Sequence, residues 1–159
     1  MNMKLKSFIV ALFLIVIPSN CFANYFTDNP NRYINTFNSE QFSEYTDLNS
    51  VNVVRYYPPY YVIDITVYVI DYFNQHTLAV IERFYYNYDQ QTMRLKMIKV
   101  ADASAEDGTS QLDNTKPMPE TAYTIDTMPI VKKYSSEYLV GEIAFMKAYR
   151  MFFTKEYNR

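Results

Sequence analysis

The sequence predicts an α+β domain: an antiparallel β-sheet of four to six strands, ordered as a meander, packed against a C-terminal α-helix. Three observations predict it. Residues 61–100 hold long runs of period-two alternation separated by short polar turns. The chain carries 17 Tyr and 11 Phe against 2 Gly and no Trp, and aromatic and β-branched residues suit a pleated, half-buried surface. After residue 135 the apolar spacing changes to three and four, the period of a helix.

Each element follows from local chemistry. Arg32 to Phe37 reads as a short strand, whereas Asn38 to Asn49 is polar and turn-prone, with Asp47-Leu48-Asn49-Ser50 resembling a turn. Val51 to Tyr57 reads as a strand that Pro58-Pro59 interrupts, because proline cannot donate to a ladder. The expected consequence is a kink that lets the strand cross an edge or change sheet. Tyr61 to Tyr72 alternates, with Ile63, Ile65, Val67 and Val69 on one face and Asp64, Thr66, Tyr68 and Ile70 on the other. Phe73 to His76 makes a turn. Thr77 to Tyr88 places Val80, Phe84 and Tyr86 opposite Ile81, Arg83 and Tyr85, and Asp89-Gln90-Gln91 turns again. Thr92 to Val100 follows, with Met93, Leu95 and Met97 against Arg94 and Lys96. Three long strands joined by such turns pair antiparallel. Ala101 to Met118 is small, acidic and turn-rich and predicts a mobile loop, while Thr121 to Thr127 can add a short strand. Ser135 or Ser136 suits an N-cap and Glu137 a first helical turn. The helix is expected to run from Ser136 to Phe153, with Leu139, Ile143, Met146 and Tyr149 on its apolar stripe.

The N-terminus has the organisation of a secretory signal peptide. Lys4 and Lys6 precede an apolar run from Phe8 to Ile17, Pro18 and Ser19 break it, and Cys21-Phe22-Ala23 closes the segment. Cleavage is expected between Ala23 and Asn24. The apolar core is too short to span a bilayer, which takes about 20 residues, so no stable membrane span is expected once the signal is removed. The organisation is then a signal peptide at 1–23, a flexible N-terminal arm at 24–31, where Pro30 sits among polar residues, and a single α+β domain at 32–159. The lone cysteine, Cys21, lies in the signal, so no internal disulfide follows cleavage. Pro18-Ser19-Asn20 lacks the small residue that precedes a lipidated cysteine.

Without Lys4 and Lys6 the chain is mildly acidic and has no Lys/Arg block. That argues against nucleic acid, whose phosphates need clustered cations. No catalytic or metal motif stands out, and no cofactor is expected. His76 is the only histidine and follows Asn74-Gln75 in a turn, which argues against a histidine-based triad or a multi-histidine zinc site. Asp64 and Asp71 differ by an odd number and fall on opposite faces of a regular strand; Glu82 lies on the next strand. From Asp102, Gly108 is seventh and Asp113 twelfth, which breaks the calcium-loop register of glycine at six and glutamate at twelve. Pro58-Pro59-Tyr60-Tyr61 matches a proline-rich ligand motif, but readers of that motif are intracellular.

The tyrosines are the richer signal. Tyrosine presents a rigid face with a polar tip, as protein interfaces use, and nine tyrosines between Tyr56 and Tyr88 lie on adjacent strands. Tyr68, Tyr85 and Tyr86 are the candidate binding residues of an aromatic sheet face.

Tyr45-x-Asp47-x-x-Ser50-Val51, the strand end Tyr85-Tyr86-Asn87-Tyr88-Asp89, an acidic glycine-containing loop and the C-terminal helix together resemble the bacterial surface-adhesin protein E-like domains, from about Arg32 to Phe153. The resemblance implies a small antiparallel sheet packed with a C-terminal helix and attachment to host extracellular proteins at the cell surface. The chain lacks lipobox spacing and cysteines after the signal. The expected function is a non-enzymatic, exported binding protein with a protein partner. The alternative is a soluble periplasmic ligand-binding or inhibitor protein, which a concave tyrosine-lined pocket would favour. Homo-oligomerisation is a further route, since sheet edges must be paired or covered.

Overall fold

The computed structural model describes residues 25–103, 116–117 and 125–158. The signal segment, its cleavage site at Ala23 and Asn24, residues 104–115 and 118 of the expected loop and residues 121–124 of the expected short strand lie outside them.

Five long strands and one short one form a single antiparallel sheet in chain order: β1 (Tyr33–Asn38), β2 (Phe42–Tyr57), β3 (Tyr60–Asp71), β4 (His76–Asn87), β5 (Thr92–Asp102) and β6 (Lys116–Pro117). A 3-10 turn, Ile125–Thr127, precedes the helix α1 (Ser136–Tyr149), and a second, Lys155–Asn158, follows it. The α+β meander with its C-terminal helix is therefore the architecture of the chain.

β2 is where the local reading departs most. Its first half comprises residues whose composition suggests a turn. The tertiary structure makes them strand because each buried polar side chain finds a partner. Arg32 grips Asp47 with two hydrogen bonds of 3.1 and 2.8 Å. The Thr36 and Thr46 hydroxyls lie 3.3 Å apart, and the Ser43 hydroxyl donates to Asn38 at 2.8 Å and accepts from Tyr72 at 2.8 Å. The actual turn is shorter and is closed by Ser39, whose Oγ accepts from the Gln41 and Phe42 amides. Ser50 Oγ donates to the Asp47 carbonyl and accepts the Thr66 amide at 2.7 Å, where the β2–β3 register shifts. The Asp-x-x-Ser element thus builds an irregularity in the ladder. Pro58-Pro59 neither kinks a strand nor moves it to another sheet. It forms the tip of the β2–β3 hairpin, with Tyr57 opposite Tyr60.

The helix covers the face that carries Ile63, Ile65 and Val67 of β3 with Phe84 and Tyr86 of β4 and Met93 of β5. Val140, Ala144 and Phe145 of α1 complete this core. The alternation in β3 and β4 runs as expected. Met97 shares this face, opposite Glu82, but is 48% exposed. Ser135 is the N-cap and accepts from the Tyr138 amide at 3.2 Å. The helix ends at Tyr149, short of the expected Phe153, because Arg150 turns left-handed at φ 56°. Phe153 still reaches the core, since the Glu142 carboxylate accepts the Phe153 and Thr154 amides at 3.0 and 2.9 Å and folds the chain back.

Gly141 sets how closely α1 approaches the sheet. A Cβ there would lie 2.2 Å from Met93 Sδ and 3.1 Å from Phe84 Cδ1, while the Gly141 carbonyl accepts the Tyr86 hydroxyl at 2.8 Å. Gly141→Val is expected to lower stability by about 2–3 kcal/mol through overpacking. Urea unfolding measures it, and an unchanged midpoint would show that Met93 can swing away without loss.

Candidate functional site

The sheet face opposite the helix has two unlike halves. At one end it is roofed by the N-terminal segment. Residues 25–27 form a helical turn, and Phe26, 3% exposed, packs among Tyr33, Tyr45, Tyr68, Ile70 and Ala79. Its ring stacks on Tyr45 at 5.0 Å and lies 4.9 and 5.1 Å from Tyr33 and Tyr68. The expected flexible arm is therefore anchored, because one aromatic in a polar stretch finds a ready-made box of rings. Among the described residues the other half of the face has no such cover, and it forms the candidate site.

Three cross-strand rows build it. Asn52, Asp64, Arg83 and Lys96 face one another across β2 to β5, followed by Arg55, Val62, Tyr85 and Arg94, then Tyr57, Tyr60, Asn87 and Thr92. The register shift between Val53 and Arg55 keeps Arg55 on this face. The last two rows, with Ile125 beside them, line an open groove of about 430 Å³. From Asn52 to Tyr57 every β2 residue is exposed, and Tyr57 and Tyr60 at the hairpin tip are 62% and 50% exposed.

The electrostatics of these rows are lopsided. They hold four cations and one carboxylate, in a chain whose acidic residues outnumber its basic ones. Asp64 is bound by Arg83 through two hydrogen bonds of 2.7 and 2.8 Å, which raises the Arg83 pKa and neutralises that pair. Arg55 has no carboxylate partner among the described residues; its guanidinium lies 5.6 Å from the Tyr57 ring centre. Arg94 donates to the Met128 carbonyl and likewise meets no carboxylate there. Two arginines thus stand at either side of a floor made by Val62 and Tyr85, about 14 Å apart in backbone terms, three inter-strand spacings.

The sequence-predicted residues fall in different places. Tyr68 is 3% exposed beneath the N-terminal segment, and Tyr86 is 2% exposed under the helix. These two lie on opposite faces and present no surface, because alternation gives a facing but not its cover. Tyr85, half-buried, lies on the groove face, whereas Tyr86 borders the groove with its ring packed against Phe145 and Phe153. The residues that the sequence did not single out as binding residues are Arg55, Arg94, Tyr57 and Tyr60. Their signal lay in the pairing register, which a single sequence does not display.

The ionisable candidates do not converge. His76 Nε2 sits 2.7 Å from Asp102 Oδ1 at the exposed far end of the sheet. Asp71 caps the β3–β4 turn, accepting from the Phe73 and Asn74 amides at 3.0 Å, and its bonds to Asn74 lower its pKa. Glu82 lies on the helix face, away from Asp64. Among the described residues, no group of three or more His, Cys, Asp or Glu gathers as metal ligation needs, and no helix is long and apolar enough to cross a membrane. A second groove, of about 640 Å³, runs between β1 and α1 past Phe37, Leu139 and Phe152. Its carboxylate, Glu142, is already bonded to the Phe153 and Thr154 amides.

Comparison with protein-family models, curated proteins and solved structures finds no match for this chain.

Proposed function

We propose that the chain is an exported, non-enzymatic binding protein of the bacterial cell envelope that attaches to a protein partner, host extracellular proteins included, through the uncovered half of its sheet. The observation that carries this reading is the exposure of Tyr57 and Tyr60 beside arginines that meet no carboxylate among the described residues. Tyrosine and arginine are the residues that protein interfaces concentrate, since each offers a large rigid contact with a polar end. The signal-like N-terminus supports export.

The concavity of the groove favours a second reading, a soluble periplasmic protein that binds a small ligand, because its volume lies within the range of small-molecule sites.

Two measurements test the proposal. Fractionation of producing cells with mass spectrometry of the N-terminus is expected to find a chain beginning at Asn24 outside the cytoplasm. An uncleaved cytoplasmic chain would remove the exported reading. The protein is then tested against immobilised host extracellular proteins beside a Tyr57→Ala/Tyr60→Ala variant. Both side chains are mostly exposed, so the variant should keep its fold and lose at least about 2 kcal/mol of binding. Binding that ignores both tyrosines would place the contact elsewhere, and binding to none of the proteins would move the weight to the small-ligand reading.

A further inference from the structure

We infer that the groove between Arg55 and Arg94 receives the carboxylates of an acidic segment of the protein partner, an inference that rests on the binding role proposed above.

A guanidinium cannot shed its charge and presents a rigid fork of donors matched to a carboxylate. Arg32 and Arg83 both show that match inside this fold, each holding an aspartate through two hydrogen bonds. Arg55 and Arg94 have no carboxylate among the described residues, yet they occupy the same cross-strand row, one on each side of Val62 and Tyr85. An arginine pair facing an apolar floor suits a ligand with negative groups at its flanks and an apolar or planar body between them. Tyr57 and Tyr60 extend that floor toward the hairpin tip.

The same charges argue for a short acidic stretch over a long polyanion. The chain as a whole is net negative, yet the three rows gather four cations against one carboxylate. A nucleic acid needs a longer run of clustered cations, whereas a few carboxylates stay within the patch. Lys96, across the ladder from Arg83, adds attraction at the border of the groove without lining it.

The experiment is an NMR titration of the protein with a capped hexaglutamate peptide, its hexaglutamine counterpart, phthalate, inorganic phosphate and an oligothymidylate. Hexaglutamate is expected to shift the amides of Val62, Tyr85 and Arg94 and hexaglutamine to leave them in place. Binding should weaken steeply as salt rises, because the groove is open to solvent. Arg55→Gln should weaken hexaglutamate about threefold, and Arg55→Gln with Arg94→Gln about tenfold. Arg94→Gln also removes the bond to the Met128 carbonyl. Among the described residues Arg55 makes only the Tyr57 ring contact, so Arg55→Gln is the deciding variant. Unchanged affinity in that variant, or equal binding of hexaglutamine, overturns the inference. Tighter binding of phthalate, phosphate or oligothymidylate than of hexaglutamate overturns it too, in favour of a small carboxylate, a general anion or a nucleic acid. The binding role itself fails differently: host-protein attachment that depends on Tyr57 and Tyr60 but not on Arg55 keeps the role and removes the acidic segment.

Discussion

Raising the pH from about 5 to about 9 is expected to weaken the fold, and Glu82→Gln to abolish most of that weakening. Glu82 is 9% exposed between the sheet and α1, and one of its carboxylate oxygens has no hydrogen-bond partner among the described residues. Burial, then the carboxylates of Glu44 on β2 and Glu137 on α1, push its pKa from 4.5 up to about 8. Burial, with Glu137 adding to it, raises Glu44 as well, whereas hydrogen bonding to Ser135 lowers Glu137 and keeps it charged. The sign follows from which state holds the proton. In the folded chain Glu82 keeps it to a higher pH than in the unfolded chain. Its contribution is therefore complete below about pH 4.5 and lost as the pH climbs to about 8. The full swing is at most about 4–5 kcal/mol, since one pKa unit is worth about 1.4 kcal/mol. Glutamine keeps the shape and never ionises. Urea unfolding at about pH 5, 7 and 9 measures the effect, and profiles that run parallel for the two proteins would show that Glu82 does not titrate in this range.

Glu142→Ala is expected to destabilise the chain by about 3–4 kcal/mol, with the loss centred on the C-terminal segment. Glu142 is buried and accepts the Phe153 and Thr154 amides together with the Thr154 hydroxyl. Removing it leaves two buried N–H groups without an acceptor, and Phe153 loses the restraint that presses it against Tyr86 and Phe145. Glu142→Gln, which keeps one acceptor oxygen, should lose less. Hydrogen exchange of the Phe153 and Thr154 amides is the diagnostic readout. Protection that survives in Glu142→Ala would show that the segment holds without the carboxylate.

These two glutamates illustrate how unevenly the sequence reports on the fold. Both are ionisable residues inside apolar patterns, and the patterns were readable: the alternation in β3 and β4 and the Ser135 cap appear in the structure as local chemistry dictates. What the neighbours of Glu82 and Glu142 are, and hence that one is strained by burial and the other satisfied, depends on contacts between elements far apart in the chain. Residues 42–50 make the same point from the other side. Their polar composition favours a turn locally, and partners from elsewhere in the chain, among them Arg32, Thr36, Asn38 and Tyr72, let them lie in a sheet.

The candidate site shows the same division. Local period and composition determined the class of the domain, the three long strands, the two facings of each and the abundance of tyrosine. Those properties rest on neighbours within a few residues, which the chain itself displays. The tertiary structure alone decided which facing the helix covers and that Phe26 roofs half of the other. It thereby buried Tyr68 and Tyr86 and left Tyr57 and Tyr60 exposed. It also assembled a cationic surface from Arg55, Arg83, Arg94 and Lys96, which form no block in the sequence. The physical reason is register: hydrogen-bonded pairing of β2 through β5 places residues up to 41 positions apart within a few strand spacings.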